Sequence, residues 1–181
     1  MRKNKLLLAC VVVLCTFISS RVSAQSPVKF GIGIEGGIPT GSASDLYAVS
    51  AGASLNVLVP LPVTNLSVIG SAGYQQWFLK GDIKDAFKEE GYDVGNAGIL
   101  PIRVGARYGI GPSPLYIKFD LGPAFSVKEV IKGGGDSGTA MSYSPGAGVK
   151  LGSFEAELKY DIYSKDGSLS FFGLKLSHYF N

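Results

Sequence analysis

The chain has 181 residues, 46% of them hydrophobic, and a formal net charge of +3, enough length for one domain with a core. The positive charge belongs to the leader: Arg2, Lys3, Lys5 and Arg21 are four of the 17 bases, and without them 13 bases face 14 acids, about −1, which excludes a nucleic-acid partner bound through a basic surface. Both cysteines, Cys10 and Cys15, lie in the same leader, so the remainder has no disulfide and must be held by its backbone ladder and its packing.

Residues 1–24 read as an export signal. Basic residues precede the apolar run Leu6 to Ile18, and Val22-Ser23-Ala24 supplies small residues where a signal peptidase needs them, making Gln25 the expected first mature residue. A lipidation site at Cys10 would leave too short an apolar region before it. No later stretch approaches 18 apolar residues, so helices do not place this chain in a membrane.

From 25 to 181 the pattern is one all-β domain. Twenty-five glycines would each cost about 1 kcal/mol in a helix; they fall instead within and between eight stretches of period two, 29–38, 47–59, 66–78, 99–109, 115–127, 140–151, 155–163 and 171–180. Short breaks follow the second, fourth and sixth stretches, and mostly longer, more polar ones follow the first, third, fifth and seventh. That alternation is expected of an up-and-down meander whose two ends face different compartments.

Each stretch has an apolar and a polar face. In the seventh, Glu155, Glu157, Lys159 and Asp161 alternate with Ala156, Leu158, Tyr160 and Ile162. A soluble lipocalin-like carrier would turn the apolar face inward, whereas a membrane barrel turns it outward to lipid. The polar face is crowded with Gly, Ser and Ala, as a narrow lumen requires. Its charges nearly balance, with Glu35, Asp120, Glu155, Glu157 and Asp161 against Arg103, Arg107, Lys118, Lys150, Lys159 and Lys175, so that ions enclosed together can pair. Aromatics gather at strand ends (Tyr74, Trp77, Phe78, Tyr108, Tyr116, Tyr163, Phe171, Phe172, Tyr179, Phe180), where a membrane has its headgroup levels. The expected fold is therefore a closed eight-stranded antiparallel up-and-down transmembrane β-barrel, with those 11 charged residues as its interior network. Pro101, Pro123 and Pro145 interrupt three strands and should each mark a bulge or a lost ladder bond.

On the segments "FGIGIEGGIPTGSASDLYAVSAGASLNV", "LSVIGSAGYQQWF", "ILPIRVGARYGI", "LYIKFDLGPAF" and "LKLSHYF", the chain resembles the Bacteroidetes-type outer-membrane β-barrel family, small eight-stranded proteins of the OmpX/OmpA and PorT-like kind. The resemblance implies a Gram-negative outer-membrane address, contact with outer-membrane lipids and lipopolysaccharide, insertion by the barrel-assembly machinery and a monomer. It implies no activity. A structural or surface-interaction role leads, a narrow pore lined by Glu35, Arg103 and Arg107 is the alternative, and a soluble carrier is the third reading.

No residue pattern carries catalysis or a cofactor. His178, the sole histidine, falls on the apolar face and has no cysteine or carboxylate cluster to make a zinc site with. Glu155 and Glu157 read as network members rather than a glycosidase pair. Gly133 to Gly138 lacks the Lys-Ser/Thr ending of a phosphate loop. The longest connection, Lys80 to Asn96, predicts a short helix from Asp82, as N-cap, to Glu90, stopped by Gly91. Ile83, Ala86 and Phe87 on one side would cap the barrel mouth, while Asp82, Lys84, Asp85, Phe87, Lys88, Glu89 and Glu90 make a possible interaction surface.

Overall fold

The computed structural model describes residues 28–92, 94–128, 138–165 and 167–180; the export signal over 1–24 and the glycine loop at 133–137 lie outside them. Eight strands follow in order: β1 (Lys29–Thr40), β2 (Tyr47–Pro60), β3 (Leu66–Leu79), β4 (Ala97–Gly109), β5 (Leu115–Lys128), β6 (Thr139–Leu151), β7 (Phe154–Ser164) and β8 (Ser168–Phe180). Every strand pairs antiparallel with its neighbour in sequence, and β1 pairs with β8, closing the sheet. Closure removes the free edges that an open sheet would present.

The three tight connections, at 61–65, 110–114 and 152–153, each turn on one left-handed residue: Asn65 (φ 63°), Gly111 (φ 55°) and Gly152 (φ 70°). Positive φ there reverses the chain within a few residues. These turns share one end of the barrel with both strand termini. The other end carries the remaining connections, including a one-turn helix α1 (Ala43–Leu46) that periodicity did not reveal, and α2 (Gly81–Glu89).

The prolines produce lost ladder bonds and no bulges. The β3–β4 register keeps step from Ala72↔Ile102 to Gln75↔Ile99 with the pairs at Pro101 missing. The β4–β5 register does the same across Pro123, and β6–β7 across Pro145. A residue of an antiparallel strand gives its N–H to one neighbour only and proline has none to give, so each proline opens one seam and keeps its pair on the other side, Pro101↔Ala124, Pro123↔Met141 and Phe119↔Pro145. The β1–β8 seam runs unbroken from Phe30↔Phe180 to Thr40↔Ser170.

Alternation in sequence becomes alternation of burial. Glycine, serine and charged positions point in, while Ile34, Leu55 and Val104 stand 65%, 66% and 58% exposed on the outer wall. This is the inverse of a water-soluble protein, whose large apolar patches are covered.

Candidate functional site

The lumen is the only part of the fold where chemistry-bearing side chains converge among the described residues, and β7 supplies four of them because its inward positions are Glu155, Glu157, Lys159 and Asp161. β4 adds Arg103 and Arg107, β5 Lys118 and Asp120, β1 Glu35 and β8 Lys175. These ten are all buried, five acids and five bases. Lys150 is the correction to the expected network: it has inward parity and pairs with Glu155 across the β6–β7 ladder, yet it lies exposed at the short-turn rim. Removing it from the six expected bases leaves the enclosed charges balanced.

The ions form linked clusters. Lys159 bridges Glu35 and Asp161, the latter at 2.7 Å, and Asp161 also takes Arg103 at 3.1 Å. Arg103 continues outward by donating to Ser142 Oγ (3.0 Å) and to the Tyr163 hydroxyl (2.7 Å), which in turn donates to Gln75 Oε1. Closer to the short turns, Lys118 pairs with Asp120 (2.8 Å) and Glu157 (2.9 Å), and the Tyr116 hydroxyl donates to Glu157 Oε2 (3.2 Å). Arg107 makes a two-pronged pair with Glu155 at 2.7 and 2.8 Å while its guanidinium lies 3.7 Å from the Tyr116 ring centroid. Planar forks of this kind suit arginine rather than lysine. Lys175 donates to Asn56 Oδ1 at 2.7 Å.

Small residues make room for these side chains. A Cβ on Gly148 would stand 2.5 Å from the Tyr116 ring, and one on Gly105 would collide with the Phe119 carbonyl and the Asp120 Cα directly opposite. Gly105→Ala is therefore expected to cost about 1–3 kcal/mol through forced separation of β4 and β5, read as a lowered urea midpoint of the refolded barrel. Ala106→Gly, on the outer wall next to it, should cost less.

Both ends of the lumen are apolar. At the long-loop end Trp77 stacks on Phe171 (4.7 Å), Tyr163 (5.0 Å) and Tyr47 (5.3 Å), with Leu79, Ile99 and Ala43 around them. At the short-turn end Leu58, Ile69 and Tyr179 close together. The strand-end aromatics thus divide, which corrects the expectation of two headgroup girdles: Trp77, Tyr116, Tyr163, Phe171 and Tyr179 are buried inside, whereas Tyr74, Tyr108, Phe172 and Phe180 face outward.

Helix α2 caps the long-loop mouth in part. Ile83 packs on the Trp77 cluster, Phe87 stacks on Tyr92 at 6.2 Å, and Ala86 is exposed. Its N-cap is Lys80, without a side-chain bond, so Asp82 sits in the first turn instead of capping it, where its charge still suits the helix dipole. Gly91 ends the helix as expected: at φ 85° its N–H reaches the Lys88 carbonyl (2.9 Å), and the Tyr92 N–H reaches Phe87 (3.0 Å). Asp82, Asp85, Lys88, Glu89 and Glu90 are exposed, Lys84 and Phe87 half-buried, and Lys88–Asp85 at 3.9 Å is a loose surface pair. His178 lies on the outer wall between Phe154 (4.6 Å) and Phe180 (4.9 Å). No cluster of three or more metal-ligating side chains occurs among the described residues. The ionic interior removes the soluble-carrier reading, which needs an apolar cavity.

No protein-family model matches the sequence, and no curated protein matches it. Solved structures match its fold. The N-terminal β-barrel domain of Pseudomonas aeruginosa OprF aligns with a TM-score of 0.54 at 14% identity, over 84% of this chain and 97% of that one. The Yersinia pestis attachment invasion locus protein Ail gives 0.55 at 14% identity, over 84% and 96%. The outer membrane enzyme PagL gives 0.56 at 14%, over 82% and 98%. The fold is thus that of outer-membrane barrels whose roles differ from one another.

Proposed function

We propose that this chain is an integral outer-membrane barrel with a filled interior, non-enzymatic, serving as a structural element or as a platform for surface interactions. One observation carries the reading: ten acidic and basic side chains are enclosed while the outer wall is apolar, an arrangement that is stable only where hydrocarbon surrounds the wall. Orientation follows from the connections, with the short turns and both termini toward the periplasm and the long-loop end outside. Outer-membrane phospholipid and lipopolysaccharide are then the surrounding partners, the barrel-assembly machinery the insertase, and the state a monomer. The finer kinship, with Bacteroidetes-type and PorT-like barrels, rests on the quoted strand segments.

A non-enzymatic role is supported by the distance between groups that could react. His178 lies near the short-turn end, flanked by phenyl rings. The outward hydroxyl cluster of Thr40, Ser170 and Tyr160, bonded at 3.1 and 3.2 Å, lies at the opposite end of the same strands. The pore alternative loses ground to the aromatic cluster that crosses the long-loop end. Surface interaction would fall to the exposed acids and bases of α2 and its neighbouring loops.

The test is electrophoretic mobility with and without boiling, combined with membrane fractionation and planar-bilayer recording. The expected result is faster migration unboiled, recovery with the outer membrane and conductance no greater than lipid leak. Extraction without detergent would overturn the membrane assignment; steady conductance abolished in Arg103→Ala would replace the filled barrel with a pore.

A further inference from the structure

The outer wall is not smooth. A recess of about 700 Å³ crosses it, open to the surroundings and lined almost wholly by apolar atoms. Its cause lies in two small outward side chains, Ala53 and Ala72, set among the large Ile34, Leu55 and Tyr74. The row His178, Ile32, Leu55, Ala72 follows the ladder from β8 through β1 and β2 to β3. Because barrel strands tilt against the axis, a row along the hydrogen-bonding direction climbs the wall obliquely. The trough therefore starts at Phe154 and His178, beside the short turns, and ends near Leu100 toward the other mouth.

Its lower end carries a polar handle. Of the His178 ring nitrogens Nδ1 is shielded without a partner, which leaves Nε2 as the one that can meet a headgroup, while Phe154 and Phe180 fix the imidazole from two sides. An aromatic group with a polar nitrogen at a strand end belongs at headgroup depth. The seams under most of the trough, β8–β1, β1–β2 and the central part of β2–β3, are uninterrupted, so that stretch of its floor is preformed; only its far end, between Tyr74 and Leu100, crosses the gap in the β3–β4 ladder.

We propose that this trough seats one acyl chain of a phospholipid from the leaflet on the short-turn side, with His178 hydrogen-bonded to the phosphate or glycerol-ester oxygens of its headgroup. This rests on the membrane-barrel reading. The chemistry of the two ends selects the occupant: a narrow oblique apolar channel that begins at a polar nitrogen matches a chain attached to a headgroup. A second copy of the barrel offers a convex wall, which would bridge the trough and leave its floor uncovered. Lipopolysaccharide enters from the opposite leaflet, away from His178.

The test uses the full barrel refolded into phosphatidylcholine–phosphatidylglycerol vesicles containing a trace of phosphatidylglycerol with a photoactivatable diazirine near its acyl terminus. Cross-linking at Ile32, Leu55 and Ala72 is expected to exceed that at Phe119 and Ala147 on the far wall by about tenfold. Ala53→Phe combined with Ala72→Phe should bring it down to the far-wall level, whereas Ala147→Phe should not change it. His178→Leu should lower the excess while leaving folding, read as unboiled gel mobility, unaltered. Equal labelling of both walls, or barrel-to-barrel products at Ala72, would overturn the proposal with insertion intact. Labelling absent from every wall would overturn the membrane reading itself.

Discussion

Lys159→Met should destabilise the refolded barrel by about 3–5 kcal/mol, because it removes one partner from a buried ionic cluster and strands Glu35. Lys159 is the hub: it faces Glu35 on β1 and Asp161 on its own strand, and Gly146 and Gly173 flank it on the neighbouring strands. A Cβ on Gly173 would approach the Lys159 side chain at 3.3 Å, so the hub is closely fitted between neighbours that lack side chains. Methionine fills a similar volume and leaves Glu35 without its paired cation and Asp161 with Arg103 alone. The double variant Lys159→Met with Glu35→Gln should regain much of the loss, since it removes the pair as a whole and leaves Asp161 with Arg103. Equilibrium urea unfolding in lipid vesicles measures both. A loss below 1 kcal/mol in the single variant would mean that water screens the lumen.

Val104→Arg should cost about 2–4 kcal/mol, the penalty for a cation on the lipid face near the bilayer midplane. Val104 occupies the middle of β4 on the outer wall, and its neighbour Arg103 is 7% exposed on the inner side. One residue along the strand thus inverts the requirement: arginine is held by Asp161 and Tyr163 within and excluded without. The same unfolding measurement decides it. If water surrounded the wall, the substitution would fall within about 0.5 kcal/mol, as surface changes usually do.

How far the sequence alone reaches is shown by these two positions. Period two fixes which side of a strand each residue takes, so the ten enclosed ions and the lipid-facing Ile102, Val104, Phe119 and Leu174 follow from alternation once an inverted barrel is chosen. All eight stretches coincide with strands to within a few residues at their ends, because turn residues such as Asn65, Gly111 and Gly152 mark the reversals. Parity carries no information about depth along the barrel axis. Alternation therefore counts Lys150 into the network although the lumen has ended where it stands, and a strand-end position suggests a headgroup belt for Trp77 and Phe171 although their inward parity makes them a plug. Leu58 and Ile69 close the other end for the same reason: beyond the ionic zone an inward position is filled by whatever excludes water. The outer-wall trough was likewise illegible, since it arises from small side chains on β2 and β3 that are adjacent only after pairing. Helix α2 was legible from its stop at Gly91, but its N-cap was not, because the Lys80 backbone enters extended without help from a side chain.

The proline gaps divide the wall unequally. They fall in the β3–β4, β4–β5 and β6–β7 seams, each missing two consecutive ladder pairs, while the join between first and last strands keeps all eleven of its pairs. The covalent discontinuity of the cylinder is consequently fastened as well as the unbroken β5–β6 and β7–β8 seams, which also keep eleven pairs each. The three gapped seams are where lateral opening of the wall is expected, and the run from β7 through β8, β1 and β2 to β3 contains none of them.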